Sequence, residues 1–98
     1  MELTCIPQQK PDFRLEQLDG ELLLYHPSRT TIIYCNSTAS LIWQLCDGAR
    51  PVAKIINLLS AAYEQPVDTL AAEVTATLEQ FRQQQAIEYV GEPAHKSD

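Results

Sequence analysis

Apolar and polar positions along this chain change their period once, near residue 36, and the change separates two kinds of structure. From Phe13 the period is two: Phe13, Leu15 and Gln17 share one face, and Arg14, Glu16 and Leu18 the other. That alternation predicts a half-buried strand. Asp19-Gly20 follows, a pair that accepts the positive φ of a tight hairpin turn. Residues 21–26 return as a second strand, with Leu22 and Leu24 opposed to Leu23 and Tyr25. Pro27-Ser28-Arg29 is turn chemistry. Thr31, Ile32, Ile33, Tyr34 and Cys35 are then β-branched, aromatic or small, as a third strand requires. Links this short predict an antiparallel meander in the order one-two-three, with its outer strands left as edges.

Beyond residue 36 the period becomes helical. Asn36, Ser37 and Thr38 are cap formers, and Ala39, Ile42, Trp43 and Cys46 recur on one face that Leu41 and Leu45 widen. Asp47-Gly48 is the expected stop, because glycine reaches the left-handed conformation that closes a helix. Pro51 suits the first turn of a second helix, whose stripe is Val52, Ile55, Ile56 and Leu59, with Tyr63 near its end. Glu64-Gln65-Pro66 breaks the chain again. Asp68 is the expected N-cap of a third helix over residues 69–84. There Leu70, Val74, Leu78 and Phe81 fall within about 80° on a wheel of about 100° per residue. Glu73 early and Arg82 late both suit the helix dipole. Residues 1–10 read as a polar lead-in that frays, residues 11–90 as one domain and residues 91–98 as a solvated tail.

Three strands followed by three helices predict an α+β domain, its sheet packed at one end of a helix trio. Composition narrows the class. The 98 residues are 45 % hydrophobic and 20 % charged, the balance of a folded globular protein. Thirteen acids against seven bases give a formal charge of −6 with no basic cluster, which argues against a nucleic-acid partner. No long apolar run and no basic-then-apolar leader is present, so no membrane partner is expected and the expected address is cytoplasmic.

Little in the chain suggests catalysis. It has no Gly-rich phosphate loop, no H-E-x-x-H and no G-x-S-x-G. Cys5, Cys35 and Cys46 lack metal-ligand spacing and stand far from His26 and His95, so no metal or cofactor is expected. Cys35 and Cys46 read as small buried hydrophobes. Either could be paired on paper with His26 as a nucleophile, but no feature of the sequence lowers their pKa. The third strand is of more interest. It carries neither proline nor charge, the devices that normally blunt an edge. An extended peptide could add to it as a further strand. The residues alone favour an ordinary edge covered by the third helix or by a second copy.

Residues 31–48 also carry a family resemblance. Asn36, Thr38, Ala39, Ile42, Trp43, Leu45, Asp47 and Gly48 resemble the PqqD-like family of leader-peptide recognition domains in ribosomal peptide modification. Cys35 stands where that family usually has Leu, and Arg50-Pro51-Val52 with Ile55 and Ile56 resembles its Arg-Thr-Val segment and following helix. The likeness spans residues 11–90. Departures are Pro51 in place of the usual Thr cap, Lys54 near an expected acid, and Gln84-Gln85-Ala86 where a glycine usually ends the third helix.

The resemblance implies a winged helix-turn-helix-like arrangement with the wing first. It also implies a non-catalytic peptide chaperone, without cofactor, that holds a precursor's leader between the third strand and the third helix. The modifying partner would be a radical S-adenosylmethionine or other enzyme, as in pyrroloquinoline quinone biosynthesis. The peptide-binding residues it implies are Thr31, Ile32, Ile33, Tyr34 and Cys35 with Leu78, Phe81 and Arg82, the last facing an acidic leader side chain. Because Cys35 takes the family's Leu position, Ile33 and Cys35 are expected in the core and Ile32 and Tyr34 outside. Two other readings stand beside this one. A winged-helix DNA-binding regulator would need a basic third helix, whereas residues 69–84 hold one Arg against two Glu. A homodimerisation module would pair copies through strand edges.

Overall fold

The structure is a computed structural model that describes residues 3–18, 21–29 and 31–90. Its elements in order are β1 (Pro7–Gln9), β2 (Arg14–Leu18), β3 (Glu21–His26), β4 (Thr31–Cys35), α1 (Ser37–Leu45), α2 (Val52–Tyr63), α3 (Val67–Gln83) and β5 (Ile87–Tyr89). The fold is α+β: three helices with antiparallel sheets. Strands β2, β3 and β4 form one sheet in that order, and β1 pairs with β5 in a separate ribbon. The hairpin signal at Asp19-Gly20 and the tail over residues 91–98 lie outside the described residues. No helix among the described residues is long and apolar enough to cross a membrane.

The register Leu22↔Cys35, Leu24↔Ile33 and Leu15↔Leu24 puts the apolar set of the sheet on one face. There Leu24 is sealed, and Ile33 and Cys35 are 4 % and 8 % exposed. Helix α1 packs on β4 and α3, placing Ile42 and Trp43 beneath the sheet. Trp43 joins the two halves of the core: its ring centroid lies 6.2 Å from Phe13 ahead of β2 and 5.7 Å from Phe81 of α3. The buried stripes of α2 (Val52, Ile55, Ile56, Leu59) and α3 (Leu70, Val74, Leu78, Phe81) are those the helical spacing predicts.

The helix ends differ from expectation in instructive ways. Asn36 caps α1 as expected, its Oδ1 accepting from Ala39 N at 2.7 Å. Gly48 does have a positive φ of 78°, but α1 has already ended at Leu45 with Cys46 as C-cap. Gly48 instead lets the chain run against β1: its N–H donates to the Pro7 carbonyl at 3.0 Å. A Cβ there would stand 3.0 Å from the Gln8 side chain. Asp47 holds the same loop, accepting from Ala49 N at 2.9 Å and pairing with Arg50 at 2.6 Å, which keeps its carboxyl below the usual range.

Pro51 is the N-cap of α2 rather than a first-turn residue, and it offers no side-chain cap. The orphan N–H groups of Val52 and Ala53 donate to the carbonyls of Cys5 and Leu3, both at 2.9 Å. Part of the segment read as a lead-in therefore caps a helix and forms β1. Asp68 does not cap α3, which begins at Val67, two residues earlier than expected, behind Pro66; its carboxylate sits in the first turn, where the dipole favours it.

The C-terminus of α3 closes without glycine. Ala86 N donates to Phe81 O at 2.8 Å and Gln85 N to Arg82 O at 2.9 Å, with Gln85 at φ 60°. This is the paired bonding of a Schellman stop, with glutamine in the left-handed position. A side chain in that conformation costs roughly 1–2 kcal/mol. Gln85→Gly should therefore stabilise the fold by about 1 kcal/mol, read as a higher urea midpoint at unchanged slope. An unchanged or lower midpoint would mean that contacts of the Gln85 side chain offset the strain.

Candidate functional site

The two edges of the three-stranded sheet are unlike. On the face turned from the core, the register sets Arg14 beside Tyr25 beside Ile32, and Glu16 beside Leu23 beside Tyr34. Edge strand β2 thus ends each row in an exposed charge, the usual protection of an edge. Edge strand β4 ends each row in an exposed apolar or aromatic side chain, Ile32 at 55 % and Tyr34 at 70 %. Among the described residues β4 pairs only with β3, so one side of its backbone ladder is unmatched by any strand.

Two clefts bracket this strand. At its C-terminal end a cleft of about 240 Å³ is lined by Thr38, Tyr63, Gln65, Thr69, Leu70 and Glu73. Thr38 follows Cys35 by three residues, and its hydroxyl donates to Tyr63 Oη at 3.5 Å. At the other end a cleft of about 270 Å³ is lined by Lys10, Asp12, Phe13, His26, Arg29 and Gln85, among others. His26 is the register partner of Thr31. The start of α3 therefore lies near the end of β4, and the chain just beyond α3 near the start of β4. The helix runs past the strand in the opposite direction.

The residues that the sequence singled out do not all reach this surface. Thr31, Ile32, Ile33, Tyr34 and Cys35 make up β4, with Ile33 and Cys35 turned inward. Leu78 and Phe81 are sealed, at 0 % and 1 % exposure, and shape the site only from behind. Arg82 is engaged within α3: its Nε donates to Glu79 Oε1 at 3.0 Å, and a second contact joins Nη2 to Oε2. That pairing holds the Glu79 carboxyl below its usual range and raises the Arg82 guanidinium. At about 100° per residue, Arg82 lies on one flank of the buried stripe, and Thr69, Glu73 and Thr77 lie on the other. Glu73 and Thr69 are the ones that line a cleft with Thr38. The sequence reading did not single out Thr38, Tyr63 and Glu73, which line this cleft, although the same wheel separates the two flanks.

The reactive-looking groups are quiet. Burial raises the Cys35 thiol, and burial together with the Asp47 charge pushes Cys46 up to about 12. Cys46 Sγ donates to Ile42 O at 3.2 Å. Both thiols stay protonated near neutral pH and so are poor nucleophiles. His26 is buried edge-on to Phe13 at 5.0 Å, with Nε2 3.8 Å from Asp12 Oδ2. Among the described residues no group of three His, Cys, Asp or Glu could hold a metal ion.

Comparisons with known proteins bear on the same region. Residues 21–87 match the family model described as coenzyme PQQ synthesis protein D (PqqD). One similar solved structure is TbiB1 in complex with the TbiA(beta) leader peptide, with 18 % identity and a TM-score of 0.71 over 87 % of this chain and 99 % of that one. Another is the solution structure of the PqqD truncation of Methylobacterium extorquens PqqCD, described as a functional, stand-alone recognition element for ribosomally synthesised and post-translationally modified peptides. It is 21 % identical, with a TM-score of 0.70 over 84 % of this chain and 87 % of that one. No curated protein matches the chain.

The alternation in β4 has a direct consequence for variants. Ile33→Asp places a charge in the sealed core and should cost roughly 4 kcal/mol or more. Tyr34→Asp, one residue on and facing out, should stay within about 1 kcal/mol of the parent. Urea unfolding of the two variants checks this. Equal losses would contradict the assignment of faces.

Proposed function

Because this chain belongs to the coenzyme PQQ synthesis protein D (PqqD) family, matched over residues 21–87, we propose that it is a peptide-recognition module. In this reading it binds the leader of a ribosomal precursor by adding the leader as a strand to β4. The observation that carries the reading is the unblunted edge of β4, with exposed Ile32 and Tyr34 beside it and α3 running past. Main-chain bonds along the edge supply affinity, and side-chain subsites on either face supply specificity. The TbiB1 relative was solved with a leader peptide bound, which supports a peptide as the occupant.

The chain acts by binding and not as an enzyme. It holds the leader so that the core segment meets a modifying enzyme at high effective concentration. That partner is a radical S-adenosylmethionine enzyme or another peptide-modifying enzyme, and the setting is cytoplasmic. Residues 11–90 form the recognition domain, a winged helix-turn-helix-like arrangement in which the sheet is a wing placed before the helices. Thr31, Ile32, Ile33, Tyr34 and Cys35 form the strand whose outward-pointing backbone groups, on alternate residues, pair with the leader. Leu78 and Phe81 support the wall behind them, and Thr38 and Glu73 join the contact surface. Duplex DNA is disfavoured as a ligand: α3 exposes Asp68 and Glu73 beside its Glu79–Arg82 pair, and the whole chain carries −6.

A proline scan of β4 tests strand addition. Proline removes one backbone donor, so where that N–H points away from β3 it deletes a bond to the peptide and spares the sheet. At least one of the substitutions from Thr31→Pro through Tyr34→Pro should keep the parent's melting temperature and lose about tenfold or more in leader affinity. Duplex DNA at low salt serves as the control and should not bind. If every folded proline variant binds leader as the parent does, strand addition is wrong. Leader-independent, salt-sensitive DNA binding would favour the regulator instead.

A further inference from the structure

The outer face of the sheet carries information about the peptide that the edge alone does not. Cross-strand rows on this face run from charge to apolar surface: Arg14, Tyr25, Ile32 in one, and Glu16, Leu23, Tyr34 in the next. From β3 outward to β4, exposure rises as well. Leu23 and Tyr25 in the middle strand are half-buried by their neighbours, whereas Ile32 and Tyr34 at the β4 edge are 55 % and 70 % exposed. Each row is covered on the β2 side and open on the β4 side. The next side chain in each row belongs to whatever strand pairs with β4.

Resting on the proposed strand addition, we propose that this outer face selects its peptide. Two apolar or aromatic side chains, two positions apart in the added strand, pack beside Ile32 and Tyr34 and complete the two rows. Strand geometry fixes the spacing, since only alternate residues of an extended segment share a face. Chemistry fixes the class. An apolar or aromatic residue beside Tyr34 or Ile32 makes a favourable cross-strand pair, while a charge there would be placed against apolar surface. The intervening peptide residues turn to the opposite side, where their row neighbours are Ile33 and Cys35. The ligand is thus a short extended segment whose outward face carries apolar or aromatic residues at two positions, i and i+2. The commitment is to a peptide rather than a second copy, and the oligomeric state enters the test for that reason.

The test uses the full chain as bait for a display library of short random peptides. The double variant Ile32→Thr with Tyr34→Thr is run in parallel. Threonine preserves strand propensity and both positions are exposed, so this variant should melt close to the parent. The parent should enrich peptides with apolar or aromatic residues at positions i and i+2, and the double variant should not enrich that spacing. A peptide selected on the parent should bind the variant roughly three- to thirtyfold more weakly by fluorescence anisotropy, the effect of losing two cross-strand pairs. Enriched peptides without that spacing, or equal affinity for parent and variant, would overturn the outer-face proposal and leave strand addition standing. If no peptide is enriched at all, both the proposal and the peptide-binding reading fall. A parent that sediments as a dimer, with the double variant monomeric, would assign the face to a second copy and overturn the proposal.

Discussion

Strand β4 meets two demands that pull against each other. Its inward side chains have to close the core, because Ile33 and Cys35 lie over α1 and pair in register with Leu24 and Leu22. Among the described residues its outer backbone edge has no strand partner, which in an ordinary small domain invites aggregation. The remainder of the fold makes the combination tenable. Ladder bonds to β3, the immediate Asn36 cap of α1 and the Trp43 contacts to Phe13 and Phe81 fix the strand from the inside. None of these uses the free edge. Rigidity there is of value for binding, since an edge already in place spares the ordering cost of forming it with the ligand.

The N-terminal segment contributes to that rigidity from a distance. Gln9 N donates to Cys46 O at 3.0 Å, and its side-chain amide donates to Trp43 O at 2.9 Å. Lys10 N donates to Ala86 O and Val90 N to Ile6 O, so one extended stretch ties the end of α1 to β5. The carbonyls of Leu3 and Cys5 meanwhile cap α2. Apart from the Gln9 amide, these bonds join backbone to backbone. They therefore tolerate almost any side chain, and the segment can look featureless in sequence while being held at many points.

That explains where reading the chain succeeds and where it stops. The period-two stretch and the helical stripes depend on local pattern, so the inward positions Leu24, Ile33, Ile42, Leu59 and Val74 are visible in the residues themselves. Strands β1 and β5 are each three residues long and pair across almost the whole chain, Pro7 with Tyr89. No local period marks such a pair. The stop of α3 is similar: a glutamine in the left-handed position gives no signal, because side-chain identity normally supplies it. Arg82 was legible as a charge on the flank of a stripe. Which flank borders a cleft depends on how α3 packs against α1, α2 and β5, and that packing sets Glu73 beside the Thr38 cleft while Arg82 pairs with Glu79.

The central claim is that a peptide completes the backbone ladder of β4, and amide hydrogen exchange reads that ladder directly. In the free protein the N–H groups of β4 that point away from β3 face solvent and should exchange quickly, while their alternates are protected by β3. With leader peptide bound, every second amide of β4 should slow by about tenfold or more, and the already protected set should change little. Slowing confined to α3 or to the Thr38 cleft, with the amides of β4 unchanged, would contradict the account.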